Sequence, residues 1–97
     1  MYAAIRRYKT KPGSADVITQ RAQEGFVPLV SSIAGFVAYS IVISENDVVT
    51  SISIFTDQAG EEGSTRVAAD WVKQNLAQYV EGVPEITTGQ VTVHEQK

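Results

Sequence analysis

The side chains of this sequence best suited to move a proton or hold an anion are its one histidine, His94, and the arginines Arg6, Arg7 and Arg66. An imidazole titrates close to neutrality, so His94 could act as a proton-transfer group. A lone histidine near a chain end, with no acid or nucleophile fixed beside it, is also what plain solvent exposure produces, and one histidine cannot make a metal site. The guanidinium groups could orient an enolate or a carboxylate. Arg6 and Arg7 are neighbours in a strand-like run and so point to opposite faces; at least one must face a pocket or an interface, where an ion pair with Glu or Asp is the common role. Trp71 and Tyr79 lie two helical turns apart and, with Phe26 and Tyr39, could line a flat apolar slot for an aromatic ligand, although ordinary core packing accounts for the same spacing. Asn75 and Ser64 are polar candidates nearby whose commoner fates are capping and exposure. Glu61-Glu62 suits the positive end of a helix rather than a carboxylate pair, because adjacent helical residues do not face one another.

Composition narrows the chemistry further. There is no cysteine, which removes disulfides, thiolate nucleophiles and Cys-based zinc sites. A net charge of −3 offers no basic field for nucleic acid. No apolar run approaches the ~20 residues of a membrane span, and the charged N-terminal stretch does not have the order of a signal peptide, so a soluble cytoplasmic protein is expected. At 97 residues the chain is the length of one domain, expected to span 1–97.

The elements that must position these side chains can be read in order. Tyr2 to Thr10 alternates as a strand and ends at Lys11-Pro12-Gly13-Ser14, where the Ser14 hydroxyl is expected to cap a helix starting at Ala15. Val17, Ile18, Ala22, Phe26, Leu29, Val30 and Ile33 make one apolar stripe, and Pro28 predicts a kink or break near Phe26 to Pro28. Phe36 to Ser44 and Val48 to Thr56 form a hairpin around Glu45-Asn46-Asp47. Asp57 can cap a second helix, but Gly60 and Gly63 cost about 1 kcal/mol each there, so irregular first turns, or a start at Ser64, are expected. Its stripe runs through Val67, Ala68, Trp71, Val72, Leu76, Tyr79 and Val80, before Gly82 and Pro84 end it. Ile86 to Glu95 returns to strand and would carry His94. This βαββαβ order is ferredoxin-like α+β: an antiparallel four-stranded sheet with two helices on one face. The other face mixes small polar with apolar residues and predicts a homodimer.

With these elements in place the chain resembles the dimeric α+β barrel superfamily, specifically its antibiotic biosynthesis monooxygenase-like group. The resemblance is carried by Lys11-Pro12-Gly13-Ser14, by Ile33-Ala34-Gly35-Phe36-Val37-Ala38-Tyr39, by Val49-Thr50-Ser51-Ile52-Ser53-Ile54-Phe55, and by Gly63 to Val72. Such proteins include cofactor-independent oxygenases of aromatic polyketides, haem-degrading oxygenases, quinol oxygenases and small proteins with no assigned reaction, with pockets between helices and sheet. The haem-degrading type calls for a histidine on the second helix beside Asn and Trp; that helix here carries Trp71 and Asn75 but no histidine. The resemblance therefore implies a monooxygenase-like protein acting on or binding a small aromatic or quinone-type molecule. Trp71, Tyr39, Phe26, Asn75 and Tyr79 would hold the substrate, and His94 or Arg66 would assist catalysis. No nucleotide, flavin or haem motif is present and no metal site is expected, so any oxygen chemistry would be cofactor-independent. The alternative is a non-catalytic dimer of this fold with a metabolite-binding, stress or regulatory role, its pocket filled by its own side chains. Trp71 and Phe26 packed together with no void large enough for an aromatic ring would count against the oxygenase reading, and an open pocket with a polar group converging on it would support that reading.

Overall fold

The alternation at the N-terminus produces a strand with one wet and one dry side. In β1 (Tyr2–Thr10), Ala4, Arg6, Tyr8 and Thr10 are buried, while Ile5, Arg7 and Lys9 between them are exposed. The structure, a computed structural model, describes residues 1–97. The hairpin forms as expected from β2 (Phe36–Ser44) and β3 (Val48–Phe55), and Asp47 at its turn takes the left-handed conformation that Asp tolerates (φ 61°). With β4 (Val80–Gln90) these strands make one antiparallel sheet in the order β2-β3-β1-β4.

The first helical run consists of α1 (Ala15–Arg21), a π-helical turn (Ala22–Phe26) and α2 (Val27–Ser31). Pro28 has no N–H to donate back along the helix, and the chain accommodates it with one wide turn in place of a break. That turn locally unwinds the helix, so residues four apart, Ile18, Ala22, Phe26 and Val30, stay on one buried face. Leu29, expected on the stripe, is carried off it and is 44% exposed. Nor does the Ser14 hydroxyl cap α1. Ser14 is itself helical in conformation, and it is its backbone carbonyl that accepts from the Ile18 N–H at 3.0 Å.

The second run, α3 (Gln58–Asn75), starts directly from Asp57, whose Oδ1 accepts the Gly60 N–H at 2.8 Å. It passes through Gly60, Gly63 and Ser64 without interruption. It also stops earlier than the apolar stripe suggested: Tyr79 lies in the turn beyond it and Val80 opens β4. The last strand correspondingly begins before Ile86 and ends at Gln90, short of Glu95. Pairing with β1 decides this, because Thr10 faces Val80, Tyr2 faces Gln90, and there is no further β1 to pair with.

Both helical runs pack on the same face. Ala22, Phe26, Val30, Phe55 and Ala68 form one core cluster, and Ile18, Val49 and Leu76 form another. The opposite face presents Ile5, Val42, Ile52 and Ile54, with Ile5 36% and Val42 49% exposed. No helix is long and apolar enough to cross a membrane.

Candidate functional site

Between helices and sheet, Phe26 is sandwiched by Tyr39 and Trp71, with ring centroids 5.3 and 5.5 Å away and tilted planes. Gly25 in the π-helical turn makes this possible, since a Cβ there would stand 3.1 Å from Trp71 Cζ2. The predicted aromatic slot is thus assembled, and its own rings fill it: the remaining cavity is about 30 Å³, space for a water rather than an aromatic ring.

A roomier cavity of about 290 Å³ adjoins it, between α3 and β4. Its origin is a bulge in β4. Arg7 pairs with Glu85 and Lys9 with Glu81, so Gly82, Val83 and Pro84 stand opposite Tyr8 alone. Gly82 adopts φ 68°, a conformation costly for any residue with a Cβ, and the segment bows away from β1. Arg6 and Tyr8 of β1 and Val72 of α3 line both cavities. Lys73, exposed on α3, and Pro84 and Ile86 of β4 line the larger one.

Arg6 dominates the chemistry of this shared wall. It is 2% exposed. Its Nε donates to Ser51 Oγ at 3.3 Å and its Nη2 to Ser53 Oγ at 3.1 Å, while Nη1 is buried with no hydrogen-bond partner. No Asp or Glu lines either cavity. The ion pair expected for one of the two arginines instead involves Arg7, which meets exposed Glu85 of the same chain at 3.8 Å. A buried guanidinium held by two neutral hydroxyls carries a desolvation penalty that no protein anion offsets. Burial pushes the Tyr39 phenol up to about 12, opposed by the positive charge of Arg6. It also raises the Tyr8 phenol, again against the pull of Arg6. Both phenols are therefore neutral at physiological pH, and the wall offers one cation and O–H donors.

The other predicted site residues lie elsewhere. Asn75, exposed at the end of α3, donates through Nδ2 to the Trp71 carbonyl at 2.9 Å, and its own carbonyl accepts from Arg21 at 3.1 Å. Tyr79 packs against the Ile18 cluster under the Arg21 guanidinium, 5.2 Å from its ring centre. Arg66 is exposed on α3 and His94 is exposed beyond the end of β4; neither lines either cavity. No three His, Cys, Asp or Glu side chains gather as a metal site.

Tyr8, Ser51, Ser53 and Lys73 were not singled out by sequence as site residues. A signal for three of them existed: Ser51 and Ser53 alternate on a strand face otherwise made of Val49 and Phe55, which calls for a polar partner, and Tyr8 shares the face of Arg6 two residues on.

Compared by sequence, the chain matches no family model and no curated protein. Compared by structure, it superposes on a protein of unknown function from Nitrosomonas europaea (TM-score 0.81, 19% identity, covering 99% of this chain and 93% of that one). It is also similar to the monooxygenase ActVA-Orf6 of Streptomyces coelicolor, solved with nanaomycin D (TM-score 0.78, 12% identity, covering 99% and 91%). A third is SnoaB, a cofactor-independent oxygenase from Streptomyces nogalater (TM-score 0.74, 11% identity, covering 99% and 97%). At such identities the likeness is one of fold.

Proposed function

We propose that this chain, which has the α+β fold of the antibiotic biosynthesis monooxygenase-like proteins, is a monooxygenase-like protein that takes up a small aromatic or quinone-type molecule under its helices. No ring-sized void lies beside Trp71 and Phe26, which counts against oxygenation in that inner chamber. The observation that carries the reading is instead the buried Arg6, with an unused Nη1, on a wall free of carboxylates that the larger space between α3 and β4 shares with the filled chamber. Without a cofactor, all four electrons for oxygen must come from the substrate: a ring CH₂ becomes C=O, or a ring C–H and a phenolic C–OH together become the two C=O groups of a quinone, while one atom of O₂ enters the product and the other leaves as water. The substrate anion is the electron donor, and Arg6 would lower the free energy of that anion. The ring would occupy the space between α3 and β4, the only one of the two described cavities with room for it. The experiment is oxygen uptake by the purified protein with a panel of hydroquinones and hydroxynaphthalenes. Turnover that is lost in Arg6→Met is expected; no uptake above the uncatalysed rate with any of them removes the oxygenase reading.

One observation favours a second reading, in which the protein binds a metabolite without oxidising it: the packing of Phe26 against Tyr39 and Trp71 fills the inner chamber. Under either reading the working unit is a homodimer joined through the bare sheet face that carries Ile5, Val42, Ile52 and Ile54.

A further inference from the structure

We infer that the cavity between α3 and β4 is a site for a small aromatic carboxylate, with Arg6 as its buried counter-charge, Tyr8 as a neutral donor beside it and Lys73 at the rim. The inference rests on the part of the reading above that makes this cavity a ligand site, and not on oxygen chemistry.

Charge is the first feature that marks this cavity. The protein is acidic overall, at −3, yet both titratable nitrogen groups lining the cavity, Arg6 and Lys73, are cations with no Asp or Glu among the lining residues. Arg6 is held from behind by the hydroxyls of Ser51 and Ser53, which fix the guanidinium without neutralising it and leave Nη1 unspent. A buried cation in that condition is completed by an anion from outside the chain.

The kind of anion follows from what the cavity lacks. No Asp, Glu or His lines either space, so there is no side chain to take a proton from a phenol or an enol. A phenol or enol would have to release its proton to solvent under the pull of Arg6, so the site favours a ligand that arrives already ionised, and at neutral pH an organic acid does so as a carboxylate. A dianionic phosphate would need more donors than one free Nη, one phenol and a rim ammonium provide. Thr65 also lines the cavity, but its hydroxyl is engaged by Glu61, donating to the Glu61 carbonyl at 3.2 Å. Val72, Val80, Pro84 and Ile86 supply apolar wall suited to a flat ring, and about 290 Å³ accommodates one or two fused rings.

The test is calorimetric titration of the intact protein with 2-naphthoate and with its neutral analogue 2-naphthamide, at low and high salt. The carboxylate is expected to bind at least tenfold more tightly, to raise the melting temperature, and to lose part of its advantage at high salt. Arg6→Met should bind the two compounds equally, and Lys73→Gln should weaken naphthoate about threefold while flattening its salt dependence. Equal affinities in the wild type, no binding of naphthoate, or a naphthoate preference surviving in Arg6→Met would each overturn the inference. Should Arg6→Met not fold, the wild-type comparison and Lys73→Gln still decide. Naphthoate preference without oxygen uptake from any hydroquinone would remove the oxygenase reading and leave this one standing; oxygen uptake with no carboxylate preference would do the reverse.

Discussion

Two side chains of the inner sheet face make opposite demands on stability. Arg6 is buried without a countercharge, so exchanging it for an apolar residue of similar length should stabilise the ligand-free protein by about 1 to 3 kcal/mol, measured by urea unfolding of Arg6→Met. A structural arginine would give a loss in the same experiment. Tyr39, its phenol raised to about 12 by burial, acts through pH. Between pH 10 and 12 the unfolded chain gives up this proton while the folded one keeps it, so the unfolded state binds fewer protons and stability falls as pH rises. The decline should start near the unfolded value of 10, reach about 2 to 3 kcal/mol and level off above 12; Tyr39→Phe should remove most of it. Trp71 is half-buried against Phe26, and Trp71→Ala should cost about 2 to 3 kcal/mol, less than for a fully buried tryptophan. His94 and Arg66 stand outside both cavities, so alanine at either should leave naphthoate affinity within twofold of the wild type by calorimetry.

At the scale of elements, most of what could be read from sequence has local causes, although two local expectations failed: the Ser14 hydroxyl does not cap α1, and α3 runs through Gly60 and Gly63 without irregularity. The hairpin around Asp47, the disturbance before Pro28 and the Asp57 cap depend on residues close in the chain, and each formed where the local chemistry put it. Asp57→Ala should accordingly cost about 1 kcal/mol in thermal or urea unfolding. The end of α3 and the limits of β4 are set instead by pairing with β1, a partner some seventy residues away, which is why Tyr79 and Val80 looked helical and His94 looked like part of a strand. The same division holds for the site. The aromatic trio of Phe26, Tyr39 and Trp71 was legible from spacing and composition. The emptiness that matters was not, because it comes from a mismatch in length between two paired strands rather than from any side chain.

For the molecule as a whole, β1 serves two surfaces. Arg6 and Tyr8 point under the helices, while Ile5 and Arg7 look out from the uncovered side of the sheet. If that side joins a second copy, light scattering at micromolar concentration should give a dimer mass, and Ile52→Lys, on the middle of that face, should shift it toward monomer without loss of helical signal. The bulge in β4 bears on how a protein of this kind could change over generations. Hydrogen-bonded pairing resumes on both sides of residues 82 to 84, so the ladder does not dictate how many residues lie between. Insertions and deletions there would reshape the β4 wall of the larger cavity while leaving the paired ladder and Arg6 in place. A ligand site in that cavity would then be re-shaped through chain length at one edge of the sheet, with no need to rebuild its centre.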